Sequence, residues 1–148
     1  MTNISEIYKK YKIMPSLQLH QLRVAAVAKL VGENMNVEIN LDGLIKACLL
    51  HDMGNIIKFK LDLFPEFLKP EGLSYWEDVK QEFVYKYGND EHTATYKIAE
   101  EIGLNSREME ILKSIGFSKA IENLEHDDYT RKIACYSDHR VSPNGIKI

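Results

Sequence analysis

Two histidines and two aspartates fall where helical spacing reserves a place for apolar side chains. His20 lies four residues before Val24 and seven before Val27. His51 follows Cys48 by three and Leu44 by seven, and Asp52 follows Cys48 by four and Ile45 by seven. Asp138 follows Ala134 by four, on the inward side of a late helix. Burying an unpaired carboxylate costs several kcal/mol, so two aspartates on apolar faces beside two histidines need compensation. One divalent cation bound by two imidazoles and two carboxylates supplies it, because both groups are normal ligands for borderline and hard metals.

Each residue taken alone has a plainer explanation. A single histidine on an apolar helix face is more often a hydrogen-bonded core residue than a ligand. The dipeptide His51-Asp52 means little by itself, and the chain carries its own control in His126-Asp127. That second pair lies in Glu125-His126-Asp127-Asp128, a polar stretch expected at the surface between two helices. The first pair follows Ala47-Cys48-Leu49-Leu50 and precedes Met53-Gly54-Asn55.

The elements that must position these residues are helical. Val24, Val27, Ala28, Val31 and Met35 form one stripe, started by Pro15 or Ser16. Leu41, Leu44, Ile45 and Cys48 form a second, capped by Asn40 or Asp42 and stopping at Gly54. Trp76, Val79, Phe83 and Tyr87 form a third, where Ser74 and Glu77 have capping-box spacing and Gly88 is the stop. Asp90 opens a fourth helix ending at Gly103, and Asn105 a fifth ending at Gly116. Shorter helices are expected before Lys12, near 118–124 and over 128–139. Nothing alternates with a period of two for long enough to suggest a sheet. Residues 58–75 combine Pro65, Pro70 and Gly72 with Leu61, Leu63, Phe64, Phe67 and Leu68, too apolar for a solvated linker. They read as a short helix plus loop over a cleft, forming one wall of a pocket.

Composition bounds the rest. The 148 residues are 45% hydrophobic and 28% charged, enough for one domain with a core that needs no disulfides. Cys48 and Cys135 sit in apolar helical patterns, as reduced thiols do. No apolar run reaches the length of a membrane span, and the first residues lack a signal-peptide pattern. The reading is a cytoplasmic, all-α chain of about seven or eight helices in a single domain over 1–148. A net charge of −3 gives no footprint for nucleic acid or membrane.

His20, then His51-Asp52, then Asp138 resembles the H…HD…D signature of the HD-domain metal-dependent phosphohydrolases. The flanks His20-Gln21-Leu22-Arg23-Val24-Ala25, Leu49-Leu50-His51-Asp52-Met53-Gly54-Asn55 and Ser137-Asp138-His139-Arg140-Val141 are similar too. The resemblance covers about 17–143. It implies a compact helical bundle in which His20, His51, Asp52 and Asp138 hold one divalent ion (Mn, Co, Ni, Fe, Zn or Mg). It also implies hydrolysis of a nucleotide or other small phosphorylated metabolite, with a metal-activated water attacking phosphorus. Asp52 would orient that water. Arg23, three after His20, and Lys58, just past the His51-Asp52 turn, would contact the phosphate. His92 has three readings: ligand of a second metal, solvated first-turn residue, or pocket group that donates a proton. The following helix, Leu112-Lys113-Ser114-Ile115-Gly116-Phe117, offers no histidine to help with a second metal. The competing function is a non-catalytic metal- or nucleotide-binding module acting in regulation, and self-association is left open.

Overall fold

The structure, a computed structural model, describes residues 3–147. Its first half runs α1 (Ile4–Lys10), α2 (Pro15–Glu33) and α3 (Leu41–Leu50), then short 3₁₀ turns at Asn55–Lys58, Leu61–Leu63 and Pro65–Leu68. The second half runs α4 (Leu73–Tyr87), α5 (Glu91–Ile102), α6 (Ser106–Lys113), a 3₁₀ turn at Phe117–Lys119, α7 (Ala120–Glu125) and α8 (Tyr129–His139). The expected all-α architecture holds, with eight α-helices among the described residues. One addition is a small antiparallel hairpin after α8, β1 (Val141–Ser142) with β2 (Gly145–Ile146), pairing Val141 with Ile146. Strands of two residues carry no alternation for a sequence reading to detect.

Polar side chains start several helices as their chemistry demands, because the first amides of a helix lack intrahelical acceptors. Asn40 accepts the Gly43 N–H at 3.1 Å and Asp90 the Thr93 N–H at 2.9 Å. Asn105 and Glu108 form a reciprocal capping box, at 2.8 and 2.9 Å. The buried Glu108 turns its other oxygen to Lys46 of α3, 3.1 Å away. Pro15 rather than Ser16 opens α2, at a position where a missing N–H costs nothing.

Two expected boundaries are corrected. Ser74 and Glu77 form no capping box, because α4 begins at Leu73 and leaves Ser74 already inside the helix. Gly72 takes the cap position with φ +88°, a conformation glycine adopts without strain. The cause lies upstream: Gly72 N–H reaches the Leu68 carbonyl at 2.7 Å, and the Trp76 indole donates to the same oxygen at 3.1 Å. Helix α3 ends at Leu50 rather than Gly54, although His51 keeps helical angles (φ −68°, ψ −19°).

One apolar core extends from Ile7 to Val141. Helix α2 packs on α3 and α8, and α3 packs on α6. The fully buried line of α2 is Leu17, Gln21, Val24 and Ala28, while Val27 and Val31 are half-buried beside it. His20 thus stands at the edge of the core stripe rather than on it. The segment after α3 is part core and part surface: Leu61 and Leu68 are buried, Phe67 is half-buried, and Leu63 and Phe64 are exposed. No helix among the described residues is long and apolar enough to cross a membrane.

Candidate metal centre

The C-terminal end of α3 builds the centre. Carbonyls in the last turn of a helix lack amide partners. His51, still helical, supplies one: its Nδ1–H donates to the Cys48 carbonyl at 2.6 Å. A carbonyl only accepts, so the proton must sit on Nδ1 and Nε2 is left for the centre. The Tyr8 hydroxyl does the same for the Leu49 carbonyl, also at 2.6 Å. Past His51 the chain turns sharply, and two buried side chains capture its amides. Gln21 Oε1 accepts the Asp52 N–H and Thr95 Oγ1 accepts the Gly54 N–H, both at 2.9 Å. Gly54 is required for this approach, since a Cβ there would lie 2.5 Å from the Glu91 carbonyl oxygen and 2.9 Å from the Thr95 nitrogen.

Three helices or their ends then converge. His20 Nε2 of α2 lies 3.2 Å from Asp52 Oδ2 and 3.1 Å from Asp138 Oδ1 of α8. His51 Nε2 lies 3.3 and 3.1 Å from the same two oxygens. One ligand atom from each of the four residues falls within 4.8 Å of all the others. The side chain of His51 is 2% exposed, whereas those of His20, Asp52 and Asp138 are 20–22% exposed. The back of the cluster is sealed and its front is open to solvent.

The electrostatics of this arrangement demand positive charge. A neutral His51, protonated on Nδ1, aims its Nε2 lone pair at two carboxylate oxygens. That is tolerable only with a proton or a cation between them. Burial pulls the His51 and His20 imidazoles down, but the two carboxylates and their hydrogen bonds overcome it and push both up, His51 strongly. Burial pushes Asp52 and Asp138 up, and the imidazoles outweigh it and hold both well below the usual carboxylate range. The donor set of two nitrogens and two oxygens fits a divalent ion. The 3.1–3.3 Å nitrogen–oxygen spacings match roughly 3.0–3.4 Å for neighbouring ligands on bonds of about 2.1 Å. His20, His51, Asp52 and Asp138 are therefore brought together as their sequence positions implied.

The other expected site residues are not part of this contact set. Arg23 is half-buried one turn after His20 on α2, and Lys58 is exposed at the end of the Asn55–Lys58 turn. Neither side chain makes an ion pair or hydrogen bond among the described residues. His92 is 59% exposed on the first turn of α5, with Glu91 at 3.6 Å and the Tyr96 ring stacked beside it. His126 and Asp127 are both exposed, as expected of the control pair. Sequence reasoning missed Gln21 and Thr95 as partners of the turn. A signal existed for Gln21, a polar residue on the line of Leu17, Val24 and Ala28 that needs a buried partner.

The family model for the HD domain matches residues 18–122. The chain belongs to the HD-domain family. The match contains His20, His51 and Asp52, while Asp138 joins the HD domain's cluster through the packing of α8 on α2 and α3. No curated protein and no solved structure matches the chain.

Proposed function

We propose that this HD domain is a metal-dependent phosphohydrolase acting on a nucleotide or another small phosphorylated metabolite. The observation that carries the reading is the pair of imidazole Nε2 atoms, each held 3.1–3.3 Å from both carboxylates at an open-fronted cluster. Family membership supports it, since HD domains are generally metal-dependent hydrolases. His20, His51, Asp52 and Asp138 hold one divalent ion. When bound, that ion supplies Lewis-acid polarisation of a phosphoryl oxygen and makes water a better nucleophile.

The chain's own residues do the remainder. Asp52 turns Oδ2 to the imidazoles, and its Oδ1 orients the attacking water and accepts a proton from it. The water oxygen bonds to phosphorus as the bond to the leaving oxygen breaks. Two carboxylates leave a dication near neutral, so attraction of the phosphate falls to Arg23 and Lys58, both without competing partners. The role of acid to the leaving oxygen is assigned to His92, supported by the packing of the first turns of α5 against Gly54. The exposed Phe64 and half-buried Phe67, with ring centroids 5.8 Å apart, form the apolar wall for a base or sugar. Trp76, 3% exposed and bonded to Leu68, belongs to the core and is no part of that wall.

Phosphate release from a panel of nucleotides with added Mn, Co, Ni or Mg tests the proposal. Release that needs metal and stops with chelator is expected. A protein that binds metal and releases no phosphate from any member would instead be the regulatory module.

A further inference from the structure

Gln21 is the one buried glutamine among the described residues, and it is fully buried. A buried amide persists only when its polar atoms are used, since leaving them unpaired costs more than the bonds return. Both ends are used, and both go to the same turn. The oxygen accepts the Asp52 N–H at 2.9 Å, and the Nε2 group faces Met53 Sδ at 3.7 Å. The orientation is fixed by chemistry, because a backbone N–H needs an acceptor and only the oxygen end of the amide provides one.

The position on α2 gives this bond its consequence. His20 and Gln21 are consecutive, so their side chains leave the helix about 100° apart. His20 points to the cluster and Gln21 to the turn behind it. Helix α2 therefore contributes a cluster histidine and, from the next residue, fixes the backbone of the aspartate that the histidine must meet. No other hydrogen bond is made by the Asp52 amide among the described residues, and Asp52 lies beyond the last residue of α3, outside the helical ladder. The rest of the turn is held through other groups, the Met53 N–H on the Leu50 carbonyl at 3.4 Å, the Asn55 N–H on the Asp52 carbonyl at 3.0 Å and Thr95 on the Gly54 amide, so Gln21 alone fixes the Asp52 N–H.

We propose that Gln21 is a positioning residue for Asp52: its side-chain oxygen sets the carboxylate against His20 and so tunes affinity for the divalent ion. This rests on the metal-dependent reading above. Partners of this kind, one bond behind a ligand, change metal affinity by about 10–100-fold when removed.

The test is a calorimetric titration of Mn²⁺ into the wild type, Gln21→Met, Asp52→Asn and the double variant, with thermal midpoints of the metal-free forms alongside. Gln21→Met keeps the apolar packing and removes the acceptor. Affinity about 10–100-fold weaker is expected in the single variant, with little further loss when Gln21→Met is added to Asp52→Asn. Unchanged affinity, or losses that multiply in the double variant, would overturn the role, since a purely structural residue moves the midpoint without coupling to Asp52. If Gln21→Met does not fold, Gln21→Glu, which keeps the side-chain oxygen, must retain slow exchange of the Asp52 amide. If the wild type takes up no ion, the metal reading fails by itself. Amide exchange then decides for the positioning of Asp52 alone: protection lost at Asp52 in Gln21→Met upholds that part, and equal protection overturns it.

Discussion

The chain contains the same dipeptide twice, and the two copies have nothing else in common. His51-Asp52 ends a buried helix, with the His51 side chain 2% exposed, one ring nitrogen bound to the Cys48 carbonyl and the other facing two carboxylates. His126-Asp127 lies in solvent between α7 and α8, where His126 Nδ1 accepts the Asp128 N–H at 3.0 Å. Asp128, next along, caps α8 and takes a bidentate contact from Arg107 at 2.6 and 3.0 Å. The difference teaches that histidine and aspartate become a candidate metal centre through what surrounds them. At the first copy the helix end fixes the tautomer, Gln21 and Thr95 fix the turn, and α8 brings a second carboxylate. At the second copy the polar atoms meet water and a helix start, and the result is a cap.

Substitutions at matched positions sharpen that contrast. The largest effect is expected for Asp52→Ala, which should cut phosphate release by at least about 10²–10³-fold, as loss of one preorganised charge-stabilising group does. Asp127→Ala should leave the rate unchanged in the same assay, and equal damage from both would erase the distinction.

A pH series of melting curves, with and without Mn²⁺, reads the next effect. Raised histidines stabilise the metal-free fold below their unfolded value near 6.5, and that contribution fades as pH rises through the folded values. The lowered aspartates stabilise it above their unfolded value near 3.8, and that fades as pH falls through the folded values. Metal-free protein should therefore be most stable between about pH 4 and 6.5, and the increment added by Mn²⁺ should grow as pH rises and protons leave. A loss of affinity expected only below about pH 6 for ordinary imidazoles thus moves to higher pH, because these imidazoles hold their protons longer. An increment that is flat from pH 5 to 9 would contradict the shared site.

The smallest effect belongs to the second copy's neighbour. Asp128→Ala should cost about 1–2 kcal/mol of stability through the lost cap, measured by denaturant unfolding, with activity intact.

The elements were legible where a local rule decides them. Asn40, Asp90 and Asn105 cap helices because their side chains reach the amides three residues on, and Gly88 and Gly103 end helices through positive φ. The four clustered residues were legible because charged groups on apolar stripes need a reason to be there. The start of α4 was not, because the Trp76–Leu68 and Gly72–Leu68 bonds that move it are tertiary. Gln21 was overlooked beside a histidine, and the tie between Gly54 and Thr95 spans 41 residues, beyond any periodicity. The hairpin after α8 is too short to leave a pattern.

Counting bound ions by equilibrium titration of Mn²⁺ into the wild type, His51→Gln and His126→Gln tests the centre most directly. One ion per chain is expected for the wild type and for His126→Gln, with binding weakened by at least about 100-fold in His51→Gln. A wild type that takes up no ion, or two variants that lose it equally, would contradict a metal centre at His20, His51, Asp52 and Asp138.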